Sequence, residues 1–364
     1  PLVFTTKPWQ YREAGPLRIW PMAPVPAPGD VGHNPRLAAS QGHLYLAQES
    51  GGGVALLKIA PEALKVVWSK QVVPPPAEGP APVLRDLHVE GETLDLLVQR
   101  GPQEVVLLRR GLDGEQMAPE TVLSLCAAPA RIAQAGLAVF RDGLWVVWVE
   151  STADDPTHGL LRLGLLAEGG LAKTFAWDKA PVAYPGDASA AGYGDELRIA
   201  FCDAPSAAGF QPLRLVSFNG LDFGSLRKLR DMGCNRQPRA RQFGPALCVV
   251  YASDVNYLGQ RGRYCDLMLT TLPPGTLELE TVTVVDDRKY NCSPGLTVLG
   301  KSLWLVHEKL ESAPTAETPQ PRSYGVFIGR ADFGPPPRTA PRPPRRGTGP
   351  GVLAPLPASP PPSN

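Results

Sequence analysis

The sequence predicts an all-β fold, a six-bladed β-propeller with its N-terminal strand closing the last blade and a disordered proline-rich C-terminal tail. Three observations predict it: a strand–turn–strand module that recurs six times, a sixth copy lacking its outer strand, and a strand-like segment ahead of the first copy. The module reads QGHLYLAQE, EGETLDLLVQ, RDGLWVVWVE, YGDELRIAFCD, FGPALCVVYAS and LGKSLWLVHE. Its turn glycines are Gly42, Gly91, Gly143, Gly194, Gly244 and Gly300. The leucines after them, Leu44, Leu94, Leu144, Leu197, Leu247 and Leu303, are spaced 50, 50, 53, 50 and 56 residues apart.

Each module continues in the same way. A third strand is expected at Val54–Ile59, Val105–Arg109, Leu160–Leu166, Pro212–Phe218, Tyr264–Thr271 and Tyr324–Ile328, and a more polar fourth one after each of the first five. These segments are rich in Val, Leu, Thr and aromatics between Gly, Pro and Asp, and no window carries a 3.6-residue apolar period over three turns. Four strands in about fifty residues make one blade, and radial packing buries both its faces. The blades are expected at about 34–73, 82–127, 130–180, 187–232, 235–287 and 291–333. The sixth runs into GPPPRTAPRPP without a fourth strand, while Leu17–Met22 (LRIWPM) stands where an outer strand belongs. Residues 17–22 are therefore expected to complete the last blade, which removes two exposed sheet edges. The propeller takes residues 1–333, and the segment 334–364, poor in large apolar side chains, is expected to be disordered.

Basic and acidic residues nearly balance, 36 Lys plus Arg against 35 Asp plus Glu. No excess charge asks for nucleic acid as a partner. Apolar runs such as Leu144–Val149 are strand-sized, against the ~20 residues of a membrane span, so no membrane insertion is expected. There is no G-x-S-x-G, H-E-x-x-H, C-x-x-C, Walker loop or dinucleotide fingerprint, and the five histidines are scattered. No cofactor and no metal site are expected. Six cysteines, an even number, fit an oxidising compartment and hence an extracellular or periplasmic location. Cys248 with Cys265 and Cys234 with Cys292 are the expected disulfide pairs, with buried free thiols as the alternative, while Cys126 and Cys202 have no evident partner. Trp145, Trp148 and Trp304 alternate with aliphatics and should pack between blades. Trp9, Trp20, Trp68 and Trp177 lie on outer or terminal segments, as inter-blade core or as sugar-stacking platforms.

In a propeller the inner strand of each blade starts on the face where the second strand ends, so side chains at those places converge on the mouth of the central channel. Inner-strand starts carry His33, Asn34 and Arg36, then Arg85 and Asp86, Arg131, Asp187, Asn235 with Arg236 and Arg239, and Asn291 with Ser293. Second-strand ends carry Glu49, Gln99, Glu150, Asp203, Asp254 and Glu308. Such a ring suits a polar ligand, a sugar for example, held by charge-assisted and bidentate hydrogen bonds. The alternative is a water-filled channel in which Arg and Asp pair across blades. Two carboxylates facing across a pocket are also what glycoside hydrolysis needs.

The segment Tyr290 to Glu308, YNCSPGLTVLGKSLWLVHE, resembles the last blade of sialidases. In that family a tyrosine nucleophile precedes an inner strand and a glutamate ends the next. The resemblance implies Tyr290 as nucleophile, Glu308 as its nearby carboxylate, and Asp86 or Glu49 as acid/base. Arg36 in NPRLAAS would stand for the first-blade arginine, one of three that grip the substrate carboxylate. The resemblance covers roughly residues 17 to 333, and the family's Arg-Ile-Pro and Ser-x-Asp-x-Gly-x-Thr-Trp signatures are absent. The leading expectation is a propeller that binds a glycan or protein partner at the channel mouth. A sialidase-like hydrolase comes next, then a scaffold subunit presenting one contiguous apolar patch. The oligomeric state is left open.

Overall fold

The computed structural model describes residues 12–14, 17–26, 32–151, 158–260, 263–274, 278–315, 318 and 321–333. Trp9 and the proline-rich segment from 334 onward lie outside them. Six antiparallel sheets succeed one another as blades. Their inner strands are His33–Ser40, Val83–Glu90, Ile132–Phe140, Ala188–Tyr193, Asn235–Phe243 and Tyr290–Leu299. No helix among the described residues is long and apolar enough to cross a membrane.

The turn after each inner strand needs positive φ, which glycine supplies without a Cβ clash. Gly42, Gly91, Gly194, Gly244 and Gly300 adopt φ between 55° and 77°. Blade 3 departs from the pattern. There Arg141 and Asp142 take φ of 49° and 58°, and the repeat glycine Gly143 stands one place later. The outer strand of that blade, Gly170–Ala183, is also long, at 14 residues.

The core is divided among the blade junctions. Six clusters of buried apolar residues each join two neighbours: blades 1 and 2, 2 and 3, 3 and 4, 4 and 5, 5 and 6, and 6 and 1. The last junction is the one that closes the circle, through Leu37, Leu44 and Leu46 against Trp304, Val306 and Ile328. Trp145, Trp148, Trp177 and Trp304 are all buried. Trp177 packs edge-on against Phe223 between blades 3 and 4, which excludes it as a sugar platform.

Ring closure runs as the sequence predicts, with one interruption. Leu17–Ile19 pairs antiparallel with Ala331–Phe333 of the last blade, and Ala23–Pro24 pairs with Phe327 and Ile328. Pro21 has no N–H to give between these two stretches. The break is bridged by Trp20, whose backbone N–H donates to the Arg330 carbonyl at 2.8 Å and whose indole donates to Asp332 at 3.0 Å. Met22 seats its sulfur on Gly329, where a Cβ would collide with it. A further strand, Arg12–Ala14, adds on outside Leu17–Ile19.

The expected disulfides are not formed: all six cysteines are free thiols. The strand register explains this for one pair. Cys248 lies opposite Thr271, while the stretch entering that third strand pairs Asp266 with Ser253, so Cys265 is far along the ladder from Cys248. Burial pushes the Cys248 thiol up to about 12, as suits a small apolar residue of the core.

Leu17 and Ile19 are almost fully buried although they lie at the chain's edge. Replacing Leu17→Ala is expected to cost about 2–4 kcal/mol through lost burial and an unfilled cavity. Urea unfolding should show this as a lower midpoint, and an unchanged midpoint would mean that the closing strand is dispensable.

Candidate functional site

The inner strands of blades 1, 5 and 6 begin with the same irregularity. The ladder skips from His33 to Arg36, from Arg236 to Arg239 and from Cys292 to Gly295. In each case a left-handed residue stands before proline: Asn34 at φ 47°, Gln237 at 53° and Ser293 at 51°. Proline removes a donor and restricts the residue before it, so this is a strained bulge that re-aims the next side chain. The residue so placed is Arg36 in blade 1, Arg239 in blade 5 and Gly295 in blade 6. Both arginines are buried.

The N–H of each bulge is taken by a side chain of the preceding blade. Asn34 N donates to Glu308 Oε2 at 3.1 Å, Gln237 N to Asp187 Oδ2 at 3.1 Å, and Ser293 N to Gln237 Oε1 at 2.6 Å. Blades 2 and 3 are latched similarly, Leu84 N to Glu49 Oε1 at 2.8 Å and Leu137 N to Asp86 Oδ2 at 2.7 Å. Asp86 also accepts from Leu87 N at 2.9 Å. Glu49, Asp86, Asp187 and Glu308 therefore have defined structural work as acceptors across the blade junctions, each such bond to an ionised group contributing roughly 1.5–3 kcal/mol.

Four arginines collect behind the mouth. Arg36 Nε donates to the Arg85 carbonyl at 2.8 Å and its Nη1 to the Pro35 carbonyl at 2.8 Å. Arg85 is clamped on Gln99, through Nε at 2.7 Å and through Nη2, and reaches Gln134 at 3.3 Å. Arg239 gives Nη1 to the Pro238 carbonyl at 3.0 Å, and its Nε is buried without a partner. Arg241, two residues on along the same strand face, gives Nη1 to the Ala240 carbonyl. None of the four forms an ion pair among the described residues. Burial, with Arg239 nearby, brings Arg36 down to about 9, although Asp86 and Glu49 favour its charge. Burial lowers Arg85 and Arg241 as well, against the pull of Asp187 and Glu49 on the first and of Asp86 on the second.

The mouth thus brings together His33, Asn34, Arg36, Glu49, Arg85, Asp86, Asp187, Arg239 and Glu308. Other expected members are engaged elsewhere. Glu150 is held by Arg162 at 2.6 Å and by the Trp148 indole at 2.9 Å, and Asp203 by Arg214 at 2.8 Å. Asp254 is buried and accepts from Cys234 N. Arg131 is exposed, and its bond to Ser151 comes from the backbone. Arg236, also exposed, donates to the Tyr290 hydroxyl at 3.1 Å.

The tyrosine–carboxylate pair that the resemblance implies is not assembled. Tyr290 lies opposite Leu310, and Glu308 lies opposite Cys292. The Tyr290 phenol is buried between blades 5 and 6, and that burial raises its pKa although Arg236 opposes the shift. Glu308 turns instead to blade 1, its Oε1 2.5 Å from His33 Nδ1. His307, one residue before Glu308, is buried and stacked on Phe327, and burial lowers it to about 3. Arg241, Gln134 and Gln237 were not expected. Period-two alternation along Arg239–Ala240–Arg241 signals the first, and the recurring N-P-R and Q-P-R triplets signal the bulges. The Leu-Arg-Leu triplets at 161–163 and 213–215 likewise mark the arginines that withdraw Glu150 and Asp203.

No family model and no curated sequence matches the chain. Solved structures do. Phage phi92 endosialidase superposes at TM-score 0.58 with 10% identity, over 93% of this chain and 71% of that one. Trypanosoma rangeli sialidase, as the covalent intermediate with 2,3-difluorosialic acid, gives 0.57 with 9% identity over 84% of this chain and 55% of that one. The subtype N10 neuraminidase-like protein of A/little yellow-shouldered bat/Guatemala gives 0.51 with 10% identity, over 86% and 98%. The chain has the sialidase-like propeller fold. At these identities the likeness of this sialidase-like propeller extends to architecture and no further.

The His33–Glu308 contact makes a pH prediction. The hydrogen bond to Glu308, ahead of the opposing burial, raises His33 from its ordinary 6.5. The stability it contributes is fully present below pH 6.5 and is lost as pH rises through the raised pKa. Since the His33 side chain is half exposed, the effect is under about 1 kcal/mol. Unfolding midpoints measured across that window should fall in the wild type and stay flatter in His33→Gln, and equal slopes would remove the linkage.

Proposed function

We propose that this sialidase-like propeller binds an acidic glycan at the channel mouth, with Arg36, Arg85 and Arg239 taking the ligand's carboxylate. The observation that carries the reading is the set of buried and partly buried guanidinium groups that no ion pair neutralises among the described residues, one with an orphaned Nε. Guanidinium stays charged and matches a carboxylate in a bidentate fork, so an anion entering there gains charge-assisted bonds and relieves the repulsion among the arginines. Half-exposed His33 and Asn34 stand at the entrance to meet hydroxyl groups.

The geometry favours binding over hydrolysis in the sialidase manner. Glu49, Asp86 and Glu308 latch backbone, and the Tyr290 hydroxyl has an arginine beside it rather than a base. A scaffold role has less support, because exposed large apolar side chains are spread over outer segments of blades 1, 2, 4 and 6, such as Val67, Val122, Leu221 and Phe333. With acidic glycans as ligands goes an extracellular or periplasmic location.

A glycan array followed by calorimetry tests the reading. Arg239→Ala and Arg36→Ala should each weaken binding of acidic saccharides by about tenfold or more, the loss of roughly one charge-assisted pair. Lys70→Ala, on the outer strand of blade 1 where Lys70 pairs with Glu115, should leave it unchanged. Equal affinity in all four proteins would show that the mouth is not the site.

A further inference from the structure

A concavity opens on the face where the inner strands begin, in the connections of blade 5. In blade 5 the segment Val255–Gln260 comes after the second strand, Ala246–Ser253, and residues 286–289 lead from the outer strand, Glu280–Val285, into the inner strand of blade 6. Both connections emerge on the face where inner strands begin. Between them lies a cavity of about 490 Å³ lined by Asn256, Tyr257, Leu258, Gly259, Tyr264 and Arg288. Its volume is that of a small-molecule site.

The walls are built rather than incidental. Tyr257 and Tyr264 stand with ring centroids 5.3 Å apart and planes at 58°. The Tyr257 hydroxyl donates to Asp266 Oδ1 at 3.1 Å and Asn256 Nδ2 to Asp266 Oδ2 at 2.7 Å, on a carboxylate that is fully buried. That clamp fixes the Tyr257 ring. The Arg263 guanidinium lies 5.2 Å from the Tyr264 ring centroid, and Arg288 is held at φ 56° on the opposite wall. Neither arginine forms an ion pair among the described residues, and the nearby Asp287 is already taken by Lys309 at 2.5 Å. Tyrosine faces stack on the apolar faces of sugar rings, while the Arg288 guanidinium, without an ion pair among the described residues, offers donors to an acidic substituent.

The cavity opens on the same face as the mouth, beside the start of the blade 6 inner strand. Arg288 is two residues from Tyr290, whose hydroxyl receives Arg236 at the edge of the arginine cluster. The exposed Arg236, on the same strand as Arg239 of the mouth, thus stands on the side of blade 5 toward Arg288 and the two tyrosines.

The geometry points to a second saccharide subsite at Tyr257, Tyr264 and Arg288, so that the ligand is an acidic oligosaccharide laid from the channel mouth across the rim of blades 5 and 6. This rests on the acidic-glycan reading of the mouth and extends it to chain length. Galacturonic acid and sialic acid oligomers, one to six residues long, are the probes, with affinity measured by calorimetry on the full chain. In the wild type affinity should rise about tenfold or more between the monomer and the longer oligomers. Tyr264→Ala and Arg288→Asn should erase that increment and leave the monomer constant unchanged, while Tyr264→Phe, which keeps the ring, retains it. Asparagine is chosen because it tolerates the left-handed backbone of Arg288. Affinity independent of length, with Arg239→Ala still weakening the monomer, overturns the rim subsite and leaves the mouth standing. Oligomer binding that Tyr264→Ala abolishes and Arg239→Ala leaves intact keeps the rim and overturns the mouth. Absence of binding by every probe overturns both.

Discussion

A blade has two apolar faces, and neither can be buried within the blade itself. Every junction must therefore be made, including the one between the last blade and the first. This constraint governs the rest of the molecule. The cluster joining Leu44 and Leu46 to Val306 and Ile328 also takes in Val25, next to Ala23–Pro24, while Leu17 and Ile19, paired with the edge of blade 6, pack in the cluster it shares with blade 5. A strand from the start of the chain thus fixes the position of residues some three hundred places away.

Closure also explains why the channel mouth is so polar and so tightly specified. Toward the axis the inner strands crowd together, and their backbone N–H groups face neighbours instead of water. Burying them unpaired would cost about 1–3 kcal/mol each, so side-chain acceptors from the adjacent blade are recruited. Glu49, Asp86, Asp187, Gln237 and Glu308 serve that purpose. Asp86, Glu49 and Asp187 also favour the charge of Arg36, Arg85 and Arg241, against the burial that lowers all three. Structure and candidate site therefore draw on one set of residues. That is why carboxylates suggesting acid/base chemistry by their position prove to be fastened in place.

Much of the architecture was legible because its signals are local. Alternating Val and Leu, a turn that needs positive φ, and a leucine shortly after it recur in every blade, and each reflects backbone geometry alone. The candidate site was legible in part. Chain position alone places Arg36, Arg85 and Arg239 near the mouth, but it cannot tell Glu49 from Glu150. Both end a second strand. Glu49 turns to the next blade, whereas Glu150 is drawn to Arg162, which lies diagonally across on the third strand. Tyr290 illustrates the same limit. The register of its strand sets it opposite Leu310 and sets Glu308 opposite Cys292, so the pair that the resemblance implies is not made.

The amino-acid sequence by itself determined the number of blades and the strand that closes the ring, because those depend on periodicity and turn chemistry along the chain. The tertiary structure alone decided which charges meet. Register and bulges set that, and a shift of one residue sends a side chain to the opposite face of its strand. Hence the unpaired arginines at the mouth, the latched carboxylates, the six free thiols and the tyrosine-lined cavity on the rim became apparent only once the six sheets were placed around their common axis.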